Sequence, residues 1–430
     1  MTISSDLTAQ PAPVGSRPRP ARSRSTGYGR TFWFTYIANL SLMVAVSLLY
    51  RYADFVTALR GNELNLGWIV GLGMTGSLFM RFGQAGGIER FGDRKIWLCS
   101  LALMVAGLAG NLLVTTVDGP LIYLLRIAFS TGVAGALGAS ITFVSRSMPV
   151  PHMAEVIGTL GTSGFLAMLI GPMIGDALCG TEIVPRSKLD LMFLIAAGLG
   201  VFSFLCAAIA THGDAPPPRR RRPHVFWLLS RYRPGPILLV GVAVGIGAAL
   251  PAVFLTTYSD KIGVPRIADF FLVYASTALV ARLITLRLPH RFGVVPMICG
   301  GMAAQIISLL AYLVVDSAWK LAIPGFFGGV AHALLFPSVV AGGSGGFPNR
   351  YRGLGTIVML ATVDVGNVIG APLVGGLLYY SESIEWEPYP TMFVTIAAAL
   401  TAITLFYALA TRGRIHQPAR ERQAAVPVRL

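Results

Sequence analysis

Residues Arg81 to Gly92 read RFGQAGGIERFG and close a long apolar run of the chain. The same arrangement returns 201 residues later, where Arg282 to Gly293 read RLITLRLPHRFG, with an arginine followed by Arg-Phe-Gly at the same spacing. Together with two further matches in the same order, this repeat predicts an internal duplication. Those matches are GVAGAL at 132–137 with GVAHAL at 329–334, and GPMIGD with APLVGG, which aligns Pro172 with Pro372 at an offset of 200.

The composition is that of a membrane protein. Of 430 residues, 54% are hydrophobic and only 12% are charged, and the mean hydropathy is +0.67. The apolar residues form long runs, and about 20 such residues in a helix cross about 30 Å of hydrocarbon. The four cysteines are scattered singly, without metal-binding spacing, so we expect small buried hydrophobic residues and predict no metal or other cofactor.

The runs predict an all-α protein of twelve transmembrane helices in two pseudo-symmetric bundles of six. The predicted domains are a disordered basic tail (1–30), an N-terminal bundle (31–211), a linker rich in Pro and Arg (212–235), a C-terminal bundle (236–411) and a second basic tail (412–430). The predicted spans are 31–54, 66–88, 96–116, 120–145, 154–179, 190–211, 236–258, 267–288, 294–315, 320–342, 354–379 and 389–411.

Lysine and arginine set the expected orientation. With both termini on one side, 24 of the 34 basic residues fall on that side, six on the other and four within spans. Because basic residues concentrate in cytoplasmic loops, both termini and both basic tails are predicted to be cytoplasmic. This topology explains most of the net charge of +15, so we expect the lipid bilayer, and no nucleic acid, as the partner of these tails.

Several motifs resemble the major facilitator superfamily. The segment AGGIERFGDRK (85–95) is similar to the signature of its loop between helices two and three, although Ala85 and Gly87 depart from the usual residues. In span five, Gly158, Gly171, Pro172 and Gly175 resemble the antiporter signature, with Ala167 and Asp176 in place of glycines. The segments ALLFPSVVAG, YRGLG and VDVGNVIGAPLVGG resemble bacterial efflux-type members. The resemblance implies alternating access about a central site and a bacterial inner membrane location.

Arg81 and Arg282 are the first candidates for substrate binding. A charge within a span is costly and by default faces protein or water rather than lipid. Each arginine either anchors its helix by extending toward the interface or forms one of a pair of cationic clamps for an anionic solute. Arginines are similarly placed in the nitrate/nitrite transporters of the resembling superfamily, whose glycine-asparagine signature is absent here.

Asp364 is the leading candidate for proton coupling. It lies near the middle of span eleven, where desolvation favours the protonated form of a carboxyl group. The alternative is a structural polar group that bonds a neighbouring helix or pairs with an arginine. His332 replaces Gly135 of the first repeat, and it is expected either to contact substrate or proton or to be a satisfied core residue. If its ring faces Asp364, the two groups would titrate together.

The remaining candidates are conformational or supply hydrogen bonds. Arg126 is expected to form an outer-gate ion pair with Asp54, whereas Arg51 is expected to extend toward the interface. Gating roles are further predicted for Glu89, Arg90, Gly92, Arg94, Gly171, Pro172 and Pro372, and hydrogen bonds to substrate for Tyr36, Asn39 and Tyr258.

These features predict a secondary transporter, expected to be a monomer, that moves a small solute by proton-coupled efflux as an antiporter, and Arg81 and Arg282 favour an anionic solute. One alternative is anion uptake or exchange of the nitrate/nitrite kind, and another is a lipid flippase or a non-transporting receptor on the same fold. An enzyme is not predicted, because the chain has no Walker or HExxH motif.

Overall fold

A computed structural model describes residues 28–412, except 148–152, 181–183, 214–230, 233, 265, 286–291 and 349–350. The described chain forms twelve long helices. They are α1 (Arg30–Ala58), α2 (Glu63–Phe91), α3 (Asp93–Leu113), α4 (Pro120–Ser147), α5 (Met153–Cys179), α6 (Arg186–Ala210), α7 (Ile237–Lys261), α8 (Ala268–Thr285), α9 (Val294–Val314), α10 (Ala318–Ser344), α11 (Arg352–Ser383) and α12 (Pro388–Thr411).

Eleven of these helices are long and apolar enough to cross a membrane. The other, α2, has 29 residues, and glycines, asparagine and charged side chains lower its hydropathy. It begins at Glu63, three residues before the predicted start, because the Asn62 side chain accepts from the Asn65 backbone N–H and caps the helix. The predicted set of helices is therefore confirmed, while most of the two tails and of the linker lies outside the described residues.

The Phe-Gly pair that ends the repeated segment forms the same corner in both halves. Gly92 and Gly293 each have φ of 85° and each precede the first residue of the next helix, α3 and α9 respectively. Residues with a side chain rarely adopt this left-handed backbone, so glycine is required at both corners. The duplication predicted from the sequence is thus present in the backbone.

Each half packs as a bundle, and the halves meet along two related pairs of helices. Under the duplication α2 corresponds to α8 and α11 to α5, so the pair α2/α11 is the counterpart of the pair α8/α5. Both pairs are in contact, and α2 packs more densely on α11 than α5 does on α8. The side of the molecule at which α1 begins and α12 ends is called the termini side, and the opposite side is called the distal side.

The α2/α11 contact is built on glycines in its distal part. A Cβ atom on Gly67 would collide with the Ala371 backbone, one on Gly71 with the Pro372 ring, and one on Gly375 with the Glu63 backbone. Small residues allow such close approach of helix backbones within a membrane. Pro372, for which a gating role is predicted, therefore lies in close contact with α2.

Gly375 and Gly376 provide a matched test of this packing. A Cβ on Gly375 would overlap the Glu63 carbonyl group, whereas one on Gly376 has no heavy atom within 4 Å. We expect Gly375→Ala to destabilise the protein by about 1–3 kcal/mol, as overpacking does, and to lower its Tm in detergent. Gly376→Ala should keep the wild-type Tm, and equal Tm values for the two variants would contradict the packing described here.

Candidate functional site

A pair of opposite charges joins the two halves between α2 and α11. The Arg81 guanidinium on α2 donates from Nε to Asp364 Oδ2 on α11, and from Nη2 to Oδ1 over 3.3 Å. Ser77, one turn along α2, donates its hydroxyl to Asp364 Oδ2 over 3.0 Å. The Arg81 side chain is 21% exposed and the Asp364 side chain 7% exposed, so this bidentate contact is largely shielded from solvent. The residues predicted separately for anion and proton binding are therefore partners.

The repeat counterpart of this pair lacks its acid. Arg282 on α8 corresponds to Arg81, and because Pro172 and Pro372 are 200 residues apart within continuous helices, Asp364 corresponds to Gly164 on α5. Arg282 indeed lies beside that position, with its Cζ atom 5.9 Å from the centroid of the Phe165 ring. Within the described part of the chain no carboxylate pairs with Arg282. One half of the interface is neutralised, and the other carries a free cation.

His332 belongs to the surroundings of Arg282 rather than to those of Asp364. Its Nδ1 atom lies 3.0 Å from the Tyr274 hydroxyl of α8. Its ring meets the Phe165 ring edge to face at 5.6 Å and stacks on Phe336 at 6.0 Å. The predicted possibility of a His332–Asp364 unit is thus replaced by a His332–Tyr274 hydrogen bond, because Asp364 turns toward α2.

A second charged cluster lies toward the distal side. Arg51 is 1% exposed and donates to Asp54 over 3.2 Å and to Asp176 of α5 over 2.6 Å. The other oxygen of Asp176 accepts from the backbone N–H of Ala268, the first residue of α8, over 2.7 Å. Asp176 therefore caps a helix of the opposite half, where the helix dipole favours a negative charge.

Two expectations for this cluster were wrong. Arg51 does not extend to the membrane interface, because two carboxylates hold it in the interior. Arg126 does not pair with Asp54; its guanidinium lies 4.5 Å from the Tyr52 ring centroid and 5.1 Å from that of Phe129. Aromatic faces thus replace the expected carboxylate as the electrostatic partner of Arg126.

The other predicted gating residues have structural contacts. Arg94 donates to the Ala208 and Thr211 carbonyl groups at the end of α6. Glu89 and Arg90 lie in the last turn of α2, with Arg90 over the Phe91 ring. Gly171, next to Pro172 within α5, packs against Ser47 of α1.

The three residues predicted to donate hydrogen bonds do not converge on one place. The Tyr36 hydroxyl lies 3.0 Å from Thr162 Oγ1, within the N-terminal half. Asn39 is buried in α1, and Tyr258 donates to the Tyr312 carbonyl group over 2.7 Å in an aromatic cluster of the C-terminal half. Of the residues predicted to contact substrate, the structure brings only Arg282 and His332 together. Arg81 lies on the related α2/α11 contact.

Four residues of these sites were missed by sequence reasoning. Ser77 and Tyr274 carry no signal in a single sequence. Asp176 and Phe165 had one: Asp176 is a charge in place of a motif glycine, and Phe165 follows the glycine that corresponds to Asp364.

Comparison with known proteins agrees with this architecture. The family model described as Major Facilitator Superfamily matches residues 31–293, which is more than half of the chain. This chain belongs to the Major Facilitator Superfamily. The chain is therefore a transporter of that superfamily rather than an enzyme, and its predicted efflux subtype stays a prediction. No curated protein matches the chain at a significant level.

Solved transporters share the fold of this facilitator. The nucleoside transporter NupG is 12% identical with a TM-score of 0.74, and the match covers 90% of this chain and 100% of that chain. A bacterial homolog of the human lysosomal transporter Spinster is 15% identical with a TM-score of 0.69, and the match covers 92% of this chain and 98% of that chain. A POT family transporter in complex with 5-aminolevulinic acid is 14% identical with a TM-score of 0.71, and the match covers 90% of this chain and 96% of that chain. Identities this low show the shared fold alone.

The Arg81–Asp364 pair can be tested with a double-mutant cycle. Arg81→Ala and Asp364→Ala each leave a buried charge without its partner, which costs about 3–5 kcal/mol. The double variant removes both charges and should recover part of that loss. Arg282→Ala removes a cation that has no carboxylate partner, so we expect an unchanged or raised Tm. Additive losses in the double variant would show that the two residues do not interact.

Asp176 and Asp54 offer a second matched comparison. Both contact Arg51, but only Asp176 also caps α8. Asp176→Ala should therefore lower the Tm of the purified protein more than Asp54→Ala does, because it leaves the Ala268 N–H without its acceptor as well. The loss of a cap alone costs about 0.5–2 kcal/mol. An equal loss in the two variants would argue against the cap as a fastening between the halves.

Proposed function

We propose that this facilitator co-transports an anionic solute with a proton. The observation that carries the proposal is the unpaired Arg282, which lies where its repeat counterpart Arg81 has the partner Asp364. A cation held inside a membrane protein without a counter-charge is unfavourable. A negatively charged group on the solute supplies the missing charge and completes the second pair.

Asp364 provides the coupling to protons. While ionised, it occupies the Arg81 guanidinium through two hydrogen bonds. Protonation removes the negative charge, weakens this pair and leaves Arg81 available to a second part of the anion. Proton and anion therefore favour binding of each other, and this coupling is reciprocal.

Because proton and anion favour binding of each other, the proposed mechanism is co-transport rather than the antiport that was expected from the family resemblance. An antiporter requires that proton and solute compete, so that each leaves when the other binds. Competition would follow if the solute were a cation that displaced Arg81 from Asp364. The free Arg282 nearby repels such a solute, which is why the structure supports an anion moving with the proton.

Access to the site in this state is proposed to be from the termini side. The contacts that join the halves toward the distal side include the Asp176–Ala268 cap, the Thr256 hydroxyl on the Tyr50 carbonyl group, and stacking of Tyr50 on Phe271 at 4.5 Å. Arg282 is partly exposed and lies one turn before Thr285, near the termini-side end of α8. If the termini are cytoplasmic, as the basic residues predict, this arrangement corresponds to an inward-facing state, and opening it outward would require release of the distal contacts.

The test is transport by purified protein in proteoliposomes loaded with a small anion. Exchange of labelled anion should occur in wild type and be abolished in Arg282→Ala. An outward-directed anion gradient should alkalinise the vesicle lumen, because protons leave with the anion. Asp364→Asn keeps a neutral partner for Arg81, so it should retain exchange but lose proton movement.

Arg352→Ala is the control, because Arg352 is an exposed arginine at the start of α11 and should behave like wild type. Anion exchange that persists in Arg282→Ala would overturn the role of this arginine. Acidification of the lumen would identify an antiporter, and movement of phospholipid alone would identify the flippase alternative.

A further inference from the structure

The C-terminal half encloses a cavity of about 180 Å³ between α7, α8, α9, α10 and α11. Aromatic and aliphatic side chains form most of its wall, including Phe270, Leu335 and Phe336. Most polar side chains in the wall have partners within the protein: Ser308 donates to the Pro324 carbonyl group over 2.8 Å, and Tyr274 and His332 bond each other, whereas the Tyr312 hydroxyl has no hydrogen-bond partner in the described chain. The cavity therefore presents mainly carbon.

Irregular backbone shapes one side of this cavity. Helix α7 widens into a π-helical segment over Leu250–Phe254, which contains Pro251. Proline has no N–H, so it cannot donate to the Gly247 carbonyl group four residues earlier. Gln305 of α9 donates to that carbonyl group instead, over 3.3 Å. Such π-helical segments occur frequently at functional sites, and here the bulge and its compensating glutamine both line the cavity.

Phe165 connects the cavity to the free cation. His332 lines the cavity and packs its ring against Phe165. The Arg282 guanidinium lies over the same phenylalanine ring. The apolar cavity and the unpaired positive charge of Arg282 therefore both lie next to the ring pair of His332 and Phe165.

We propose that the transported solute is an amphipathic organic anion that places its carboxylate at Arg282 and an apolar group, about the size of a benzene ring, in this cavity. The inference rests on the proposed function, since it assigns the substrate class of that same site. An engineered apolar cavity of about 150 Å³ stays dry and binds benzene, so a volume of this order suits one ring. A small inorganic anion would leave the apolar compartment unused.

The experiment compares three probes on the purified full-length protein by isothermal titration calorimetry. Phenylacetate carries both groups, acetate carries only the charge, and phenylacetamide carries only the ring. Phenylacetate should bind about tenfold or more tightly than acetate, because ring burial adds to the charge contact. Phenylacetamide should bind weakly, and Arg282→Ala should reduce phenylacetate binding to that level.

Two substitutions of the same kind separate the cavity from the general surface. Ala248 lines the cavity, whereas Ala303 lies on the exposed face of α9. Ala248→Phe fills the cavity, so phenylacetate should bind no better than acetate while acetate binding is retained. Ala303→Phe should keep the full preference. Retained acetate binding also reports that the variant is folded, and Val244→Phe, one turn earlier in the same wall, replaces Ala248→Phe if that variant does not fold.

The outcomes separate this inference from the proposed function. Equal affinity for phenylacetate and acetate, both dependent on Arg282, would overturn the cavity assignment and keep the anion transporter. An unchanged preference in both cavity variants would also overturn the assignment. Binding of neither anion, with no anion exchange in proteoliposomes, would overturn both.

Discussion

The cost of placing a charge in the membrane interior determines how this facilitator is built. An ionic group there must find a partner, reach water or be left at high energy. Arg51 has two carboxylates, Arg81 has one, and Arg126 lies against aromatic rings. Arg282 differs from the other three: in the described chain it has no carboxylate partner, and it lies over a single aromatic ring, that of Phe165. The difference singles it out chemically, although its position in the sequence matches that of Arg81.

The informative positions are those at which the two halves of the duplication differ. Asp364 stands opposite Gly164, His332 opposite Gly135, and Asp176 opposite Gly376. In each case one repeat carries a titratable side chain and the other a glycine. A duplicated scaffold supplies two equivalent surfaces, and these differences assign ion pairing to the α2/α11 contact and leave a free cation on the α5/α8 contact.

Much of the architecture could be predicted from the sequence because hydropathy and length are local properties. The helices follow from apolar runs, and the corners at Gly92 and Gly293 from a repeated tripeptide. Side-chain partners could not be predicted in this way, since Arg51 and Asp176 are far apart in the chain and meet only through helix packing. Arg126 is an example. The sequence suggested Asp54 as its partner, but Asp54 is already paired with Arg51. Only the offset between repeats could have shown that the acid opposite Arg282 is missing.

The two contacts between the halves also differ mechanically. Along the distal part of α2/α11 the backbones touch through glycines, and the Arg81–Asp364 pair lies farther along the same contact. Along α5/α8 a single carboxylate on a helix end supplies the distal fastening, and one hydrogen bond can break without repacking. Separating α2 from α11 would therefore disrupt packed backbones, whereas separating α5 from the start of α8 would break one hydrogen bond to a carboxylate.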